Sequence, residues 1–406
     1  MDFNDTPEEA AWRAECREWL KANAPRQKQQ EKDGVGEVFG EDLDSDEYLA
    51  SAQDWQAKKF DAGFAAITWP QEFGGRDGTS MQQIIFGQEE RKYDVPTQPY
   101  TIGLGMVAPT IRTHGTPEQK DRYLKKMLRG EEFWAQLFSE PGAGSDVASL
   151  AMTAVRDGDE WILNGQKVWT SGAQYCDFGE IICRTDPDAP KHRGITAFII
   201  DMRAPGVKVQ PLRQMTGGAS FNEVFFEDVR VPADSVLGEV NNGWGVAITT
   251  LMNERVAIGS GGGTGGGITK VIEMAKQRGL ADDPNVRQKI AELFCLQRVQ
   301  RYNGMRTLSA VSQGTTPGPQ GSIGKLLGSS TLTKLGNLTV EILGPYAICD
   351  NDAEAFAWNQ LVLGAPGMHV AGGTDEVMKN IIGERVLGLP GEPRVDKDVA
   401  WRDLPK

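Results

Sequence analysis

A run of small residues and a nearby tryptophan have side chains suited to binding an anion and a flat ring. Residues 142–145 read GAGS, and backbone N–H groups can approach an anion closely where side chains are this small. The Ser145 hydroxyl adds a hydrogen-bond donor. Trp169 offers a flat apolar face, although a tryptophan considered by itself is more often part of a hydrophobic core. The two segments are therefore candidates for one binding site.

A second glycine-rich segment does not predict nucleotide binding. Residues 259–267 read GSGGGTGGG, and Gly261, Gly263 and Gly266 match the pattern G-x-G-x-x-G. That pattern binds a pyrophosphate where it follows a strand, whereas the preceding residues 251–258 have helical character. No Gly-Lys-Ser/Thr follows, which excludes a P-loop. The glycines predict close helix packing, flexibility or space beside a ligand.

Composition excludes several classes of function. The 406 residues include 43 Lys and Arg against 56 Asp and Glu, a formal net charge of −13. An acidic chain is repelled by nucleic acid and anionic lipid, so neither is expected as a partner. No apolar run reaches the length of a membrane span, and the first residues are acidic and lack the basic-then-apolar order of a signal peptide. We therefore expect no membrane insertion and a cytoplasmic location. Three scattered histidines and five cysteines without C-x-x-C predict no metal site.

The elements that must position these residues follow a helix, sheet, helix order. Capping boxes at Thr6 and Thr116, each with Pro at the first helical position, predict helices in the first third. The turn pairs Asp157-Gly158 and Asn164-Gly165 predict antiparallel strands in the middle of the chain. Helical spacing returns afterwards. We predict an α+β multidomain fold with an N-terminal helical domain (1–132), a central antiparallel β-domain (133–243) and a C-terminal helical bundle (244–406).

Four segments carry a resemblance to a known family. They read FSEPGAGSDV, KVWTSG, FFEDVRVP and GGTDE, and they begin at Phe138, Lys167, Phe225 and Gly372. With them the chain resembles the acyl-CoA dehydrogenase family of flavoenzymes over nearly its whole length. The first segment is highly specific for that superfamily, whose architecture has the same helix, sheet, helix order.

The resemblance implies FAD as the cofactor. The serine that matches Ser145 contacts the FAD pyrophosphate in the family, and the tryptophan that matches Trp169 packs on the flavin ring. Ser139 and Ser171 match hydroxyl residues that bind the ring. The residues assigned to FAD on this basis are Ser139, Gly144, Ser145, Trp169, Thr170, Ser171, Arg278, Thr374 and Glu376.

The C-terminal third departs from the family pattern where a neighbouring subunit usually completes the FAD site. Arg278 is followed by Gly-Leu instead of Phe-Gly, and LGPY at residues 343–346 replaces an aromatic-Gly-Gly stretch. The resemblance implies a homodimer or homotetramer. The departures also keep open a hetero-oligomer in which a related chain shares the flavin site.

The family reaction removes the α-proton of an acyl-CoA thioester while the β-hydrogen leaves as hydride, which gives the trans-2-enoyl-CoA. It needs a carboxylate base shielded from water and donors on the thioester oxygen. Many members place the base where this chain has Gly372. A second group, which includes the isovaleryl and long-chain enzymes, has it in a Glu-Arg pair on a helix that follows the β-domain, and this pair matches Glu254 and Arg255.

The resemblance thus assigns Glu254 as the base and Arg255 as a residue that organises the site electrostatically. The ordinary alternatives are a solvated helix glutamate and a surface salt bridge. Loss of the acid at position 372 together with its presence at position 254 favours catalysis. Any residue except proline supplies a backbone N–H, so Gly372 is expected to keep the family's contact with the thioester oxygen.

The size of the acyl group and the electron acceptor are the remaining questions about the reaction. Glycines on the wall of the acyl cavity would admit a branched, long or polycyclic acyl group, and the resemblance implies an electron-transfer flavoprotein as acceptor. An acyl-CoA oxidase or a flavin monooxygenase of the same fold is the alternative, although a monooxygenase needs no base such as Glu254. The candidate glycines are Gly103, Gly105, Gly259 and Gly261.

Overall fold

The computed structural model describes residues 5–25, 44–261, 267–312, 318–348, 353–393 and 396–404. For residues 255–261, 308, 311–312 and 353–357 it describes the backbone alone. Within these ranges, every helix is too short or too polar to cross a membrane.

The first third of the chain forms helices, and the capping boxes expected from the sequence begin two of them. The Thr6 hydroxyl accepts the Glu9 N–H at 3.2 Å, and the Glu9 carboxylate accepts the Thr6 N–H at 2.8 Å. Thr116 and Gln119 make the same reciprocal pair, so both predictions are confirmed. A π-helical turn, Gly103–Val107, leads into the fourth helix. The helices are α1 (Pro7–Asn23), α2 (Asp46–Asp61), α3 (Ser80–Glu90), α4 (Ala108–His114) and α5 (Pro117–Arg129).

The middle of the chain forms one sheet. Its strands are β1 (Trp134–Leu137), β2 (Thr153–Asp157), β3 (Glu160–Ser171), β4 (Phe178–Arg184), β5 (Ile195–Asp201), β6 (Val207–Leu212), β7 (Phe221–Pro232) and β8 (Val236–Leu237). The order is β6-β7-β3-β2-β4-β5-β8, with β1 paired to β4. Neighbouring strands are antiparallel, except that β1 and one end of β2 run parallel to β4.

Of the two turns expected from the sequence, one is confirmed and one is wrong. β2 and β3 form the hairpin at Asp157-Gly158, with Asp157 opposite Glu160. Asn164-Gly165 lies inside β3, where the register with β7 shifts and Gly165 has φ of +145°. A β-bulge uses the conformational freedom of glycine just as a tight turn does, and for that reason the local sequence suggested a turn.

The last third returns to helices, which confirms the helix, sheet, helix fold. α9 lies at the centre of this bundle and contacts the other helices of this part of the chain. Its buried Leu335 and Leu338 pack with Val271 and Leu361 of two neighbours. The helices are α6 (Gly243–Gly261), α7 (Gly267–Gln277), α8 (Pro284–Ser312), α9 (Gly321–Leu343), α10 (Ala353–Met368) and α11 (Asp375–Ile381).

Helix α6 joins the sheet to the helical layers. It contacts β5, α4 and the π-helical turn as well as α9. Near its start, Val246 and Ala247 are buried in one core with Ile195 and Ala197 of β5. Side chains that project from α6 toward the sheet are therefore shielded from water by several elements.

Candidate active site

The loop that follows β1 presents open backbone and a hydroxyl. Glu140 and Ala143 exchange two backbone hydrogen bonds of 3.0 Å, which close a tight turn. Gly142, Gly144 and Ser145 are exposed on this turn. A Cβ atom added to either glycine would meet no atom within 4 Å, so packing does not require glycine there. Accessible backbone N–H groups of this kind suit an anionic ligand.

A buried ion pair fixes the base of this loop. Lys167 of β3 is fully buried, and its Nζ lies 2.8 Å from Glu140 Oε1 and donates to the Phe138 carbonyl at 3.0 Å. The Glu140 carboxylate also accepts the backbone N–H groups of Ala151 at 2.7 Å and Met152 at 3.1 Å. Both the ammonium and the carboxylate therefore have hydrogen-bond partners inside the protein, as a buried ion pair requires. No local sequence pattern connects the two residues, and the pair was not predicted.

Trp169 holds its indole in the open beside this loop. Its φ is +59°, a conformation that residues other than glycine rarely adopt, and it is 61% exposed. The preceding Val168 N–H donates to the Ser139 carbonyl at 2.9 Å, which joins β3 to the loop. Phe221 meets the indole edge-on at 6.0 Å between ring centroids. An exposed aromatic ring held at a conformational cost is typical of a ligand-binding position.

The hydroxyl residues around Trp169 differ in burial. Thr170 is 1% exposed, and its Oγ1 has no hydrogen-bond partner among the described residues. Asn222 Nδ2 donates to the carbonyl of Thr170 at 3.1 Å, which fixes the backbone there. Ser139 and Ser171 are partly exposed. A buried hydroxyl without a partner costs free energy, so a bound group that pairs with it would be stabilised.

These residues fit FAD. The turn at residues 142–145 would hold the pyrophosphate through backbone N–H groups and the Ser145 hydroxyl. The Trp169 indole would pack on the ring, and the hydroxyls of Ser139, Thr170 and Ser171 would meet its polar edge. The roles of the individual residues stay predictions.

We expect Trp169→Gly to weaken FAD binding by about tenfold, the scale of one lost aromatic contact. Glycine adopts a φ of +59° without strain, so the apoprotein should be as stable as the wild type or slightly more stable. Equilibrium dialysis with FAD and urea unfolding of the apoprotein measure the two effects. Asp77→Gly is the matched control, because exposed Asp77 also has positive φ, at +52°. Unchanged FAD affinity in Trp169→Gly, or an equal loss in the control, would contradict the assignment.

Glu254 lies on α6 and is partly buried. Gln136 Nε2 of β1 donates to Glu254 Oε2 at 3.4 Å. Because β1 leads directly into the loop described above, the carboxylate lies near the strand that positions the candidate FAD site. Gln136 was not among the predicted residues; its position just before the small-residue loop is the signal that identifies it. The side chain of Arg255 lies outside the described residues.

Gly372 lies in a closed loop in front of α11. The Asp375 N–H donates to the His369 carbonyl at 3.0 Å, which closes the loop. Gly372 and Gly373 have φ of +65° and +87°, which favours glycine at both positions. Gly372 provides the backbone N–H that the sequence predicts at this position, and its contact with the thioester oxygen stays a prediction.

The end of this loop is anchored in the helical bundle. Asp375 accepts from Lys325 Nζ at 2.8 Å and from Ser329 Oγ at 2.9 Å, both on α9, and its other oxygen lies 2.6 Å from His369 Nδ1. Burial acts to raise the pKa of Asp375, but the bonds from Lys325, His369 and Ser329 outweigh it and lower that pKa. The loop that carries Gly372 is thus fixed to α9.

The two remaining residues assigned to FAD lie where this loop meets α11, and both have local partners. Thr374 is the N-cap of α11, and its Oγ1 accepts the Val377 N–H at 3.2 Å. Glu376 is exposed, with Lys379 Nζ 3.7 Å away. A capping role explains Thr374 without a ligand, and FAD contact by either residue stays a prediction.

The two segments in which the chain departs from the family pattern contact each other through Arg278 and Tyr346. The Arg278 guanidinium lies over the Tyr346 ring, 4.4 Å from its centroid. Tyr346 belongs to the LGPY segment and is 53% exposed. The surface predicted to meet a neighbouring subunit's FAD therefore carries a stacked Arg–Tyr pair.

The candidate cavity glycines lie in two places. Gly103 and Gly105 belong to the π-helical turn, where a Cβ atom on Gly103 would lie 3.3 Å from Trp134 Cβ. Close packing against Trp134 therefore explains Gly103. Gly259 and Gly261 lie in the last turns of α6, and their surroundings are outside the described residues. A role in lining the acyl cavity stays a prediction for all of them.

A second acid is buried beneath α6. Glu180 of β4 is 0% exposed, and Thr250 Oγ1 of α6 lies 2.8 and 3.0 Å from its two carboxylate oxygens. Burial raises the pKa of Glu180 to about 8, although the hydrogen bond from Thr250 opposes the shift. At neutral pH this carboxyl group is mostly protonated. Its position inside a strand of apolar residues gave no sign of a site in the sequence.

Comparison with known proteins identifies the family. The model described as "Acyl-CoA dehydrogenase, N-terminal domain" matches residues 6–131. The corresponding middle-domain and C-terminal-domain models match residues 135–229 and 241–387. Together the three models cover most of the chain.

Individual relatives agree with the family models. "Acyl-CoA dehydrogenase IpdE1" of Mycobacterium tuberculosis is 37% identical over 344 residues, which cover 84% of this chain and 88% of the relative. The solved structure "Tcur3481-Tcur3483 steroid ACAD" is 29% identical, covers 97% of this chain and 100% of that chain, and has a TM-score of 0.77. The ChsE4-ChsE5 complex from Mycobacterium tuberculosis is 29% identical with a TM-score of 0.75, and the match covers 97% and 100%.

The comparisons confirm the predicted fold class, an oxidoreductase activity and FAD as the cofactor. They favour the dehydrogenase over the oxidase and monooxygenase alternatives, because the relatives above are acyl-CoA dehydrogenases by name. The open loop and exposed indole agree with this conclusion. The chain belongs to the acyl-CoA dehydrogenase family.

Proposed function

We propose that the protein converts an acyl-CoA thioester to the trans-2-enoyl-CoA, with Glu254 as the base. The observation that carries the proposal is the position of Glu254: a partly buried carboxylate on α6, in contact with β1 just before the candidate FAD loop. Partial burial favours a carboxylate that is reactive toward a weak carbon acid.

The chain's residues divide the work of the reaction. Glu254 takes the α-proton, and Gln136 holds the carboxylate by a hydrogen bond at Oε2. The Gly372 N–H binds the thioester oxygen and stabilises the negative charge that develops there. FAD, when bound, would supply the acceptor for the β-hydrogen, which would leave as hydride. Arg255 follows the base on α6 and is proposed to organise the charges around it.

For the substrate we propose an acyl-CoA with a polycyclic acyl group. One solved structure that covers 97% of this chain, with a TM-score of 0.77, is called a steroid ACAD. Gly259 and Gly261 on the helix that carries Glu254 would leave room for a bulky group. Of the branched, long and polycyclic acyl groups that the sequence leaves open, we therefore favour the polycyclic group.

An anaerobic titration of the yellow protein with acyl-CoA thioesters tests both the reaction and the substrate. We expect loss of the flavin absorbance with a steroid-derived acyl-CoA at lower concentration than with straight-chain thioesters. Gly259→Leu should selectively harm the bulky substrate, because the added side chain occupies its space. Unchanged chain-length preference in that variant, or equal use of straight-chain thioesters by the wild type, would reject the polycyclic substrate.

We also propose that the flavin site is shared with a related chain and that an electron-transfer flavoprotein accepts the electrons. The steroid ACAD structure is named Tcur3481-Tcur3483 and the other is named as the ChsE4-ChsE5 complex, so each name gives two different chains. Gly-Leu after Arg278 and the LGPY segment stand where the family pattern has Phe-Gly and aromatic-Gly-Gly, and Arg278 stacks on Tyr346 of that segment. Purification of the chain alone as a colourless protein, and yellow only with its partner, would support sharing. A yellow homo-oligomer would reject it, and stoichiometric peroxide in air would indicate an oxidase.

A further inference from the structure

Two neighbouring residues of the sheet contact successive turns of α6. Gln136 of β1 lies directly opposite Glu180 of β4 in the parallel pair. Gln136 hydrogen-bonds Glu254, and Glu180 hydrogen-bonds Thr250, which lies one helical turn earlier on the same face of α6. The position of the proposed base is thus tied to the sheet at two points.

The contact at Thr250 is part of a buried hydroxyl cluster. Thr250 and Thr110 are both 0% exposed, and their hydroxyl oxygens are 2.9 Å apart. Thr110 Oγ1 also donates to the Met106 carbonyl of the π-helical turn at 2.9 Å. The cluster therefore links α6 to the sheet, to α4 and to the π-helical turn at one point.

We propose that Glu180 is a positioning residue for Glu254: together with Thr250 it fixes the rotation and axial position of α6 above β1 and β4. The proposal rests on the role of Glu254 as base. Apolar packing alone tolerates small rotations of a helix, whereas a buried carboxyl group must keep its hydrogen bond. A slip of one residue would turn Glu254 by about 100° around the helix axis.

The protonated state of Glu180 suits this role. Thr250 and Gln136 face it from α6 and β1, Thr110 lies behind Thr250 on α4, and Ile199 is its neighbour on β5. Glu254, a titratable group, lies one turn beyond Thr250 on α6. Because Glu180 meets a hydroxyl instead of a cation, burial keeps it neutral. A neutral acid both donates and accepts, and glutamine can replace it in that respect.

Three variants test the proposal by their effects on kcat and on KM for the acyl-CoA. Glu180→Met and Thr250→Val remove the contact at nearly constant volume, and each should lower kcat at least tenfold with little change in KM or FAD content. A misplaced base costs rate and leaves binding intact. Glu180→Gln should restore most of the turnover. Thr250→Val keeps the test decisive if Glu180→Met does not fold.

Unfolding of the apoprotein gives a second readout that does not depend on activity. The pKa of Glu180 is raised from 4.5 to about 8 on folding, so its contribution is complete below pH 4.5 and is lost as the pH rises through 8. The urea midpoint of the wild type should therefore fall between pH 5 and pH 8 more than that of Glu180→Gln. Parallel curves would reject a buried neutral Glu180.

The outcomes separate the two proposals. If Glu254→Gln is inactive while Glu180→Met and Thr250→Val keep wild-type kcat, positioning by Glu180 is rejected and the base assignment stands. If Glu254→Gln is fully active, the proposed base is wrong whatever the Glu180 variants do. If Glu180→Met, Thr250→Val and Glu180→Gln all lower kcat equally, the positioning role is also rejected.

Discussion

Glu254→Gln is expected to slow substrate-dependent loss of the flavin absorbance at least a hundredfold, on the scale of general-base removal. The amide has the shape of the carboxylate and can keep the contact with Gln136, but it cannot accept the α-proton. FAD content and binding of a thioester should stay near wild-type values. Stopped-flow absorbance under anaerobic conditions measures the rate, and equilibrium titration with an unreactive thioester measures binding.

Glu273→Gln is the matched control for this experiment. Glu273 lies on α7, the next helix of the same bundle, and is exposed. Removal of its charge should leave the rate within about twofold of wild type, because screened surface charges have small effects. Near-normal turnover of Glu254→Gln would reject the assignment, and so would a comparable loss in the control.

Lys167→Met is expected to reduce the free energy of unfolding by about 3–5 kcal/mol, the usual cost of breaking a buried ion pair. The methionine fills the space of the lysine stem but leaves the Glu140 carboxylate buried without its cation. The two backbone N–H groups that Glu140 accepts lessen the loss without removing it. Because Glu140 closes the candidate FAD loop, FAD should also dissociate faster. Chemical denaturation and flavin fluorescence measure the two effects.

The double variant and an exposed pair provide the controls. Glu140→Gln combined with Lys167→Met removes both charges and should cost clearly less than the sum of the single variants, because neither partner is left charged and buried. Lys208→Met breaks the exposed pair with Glu227, which should change stability by no more than about 1 kcal/mol. Additive losses in the double variant, or a loss in Lys208→Met as large as in Lys167→Met, would contradict the buried-pair account.

Local patterns in the sequence predicted the elements well. The capping boxes at Thr6 and Thr116 depend on hydrogen bonds between residues three apart, so the local sequence contains all the information needed. The hairpin at Asp157-Gly158 is equally local. Asn164-Gly165 shows the limit of such patterns, because pairing of β3 with β7 converts an apparent turn into a bulge within one strand.

The sequence by itself determined the order of helices and strands, the family resemblance and the candidate residues Glu254, Ser145 and Trp169, since these depend on residue types and short spacings. Only the tertiary structure decided which distant residues support them. Gln136 reaches Glu254, Lys167 pairs with Glu140 and Glu180 meets Thr250 through contacts between residues far apart in the chain. Burial decides the charge of such groups and the strength of their hydrogen bonds, and burial is set by the packing of β1, β4 and α6 together.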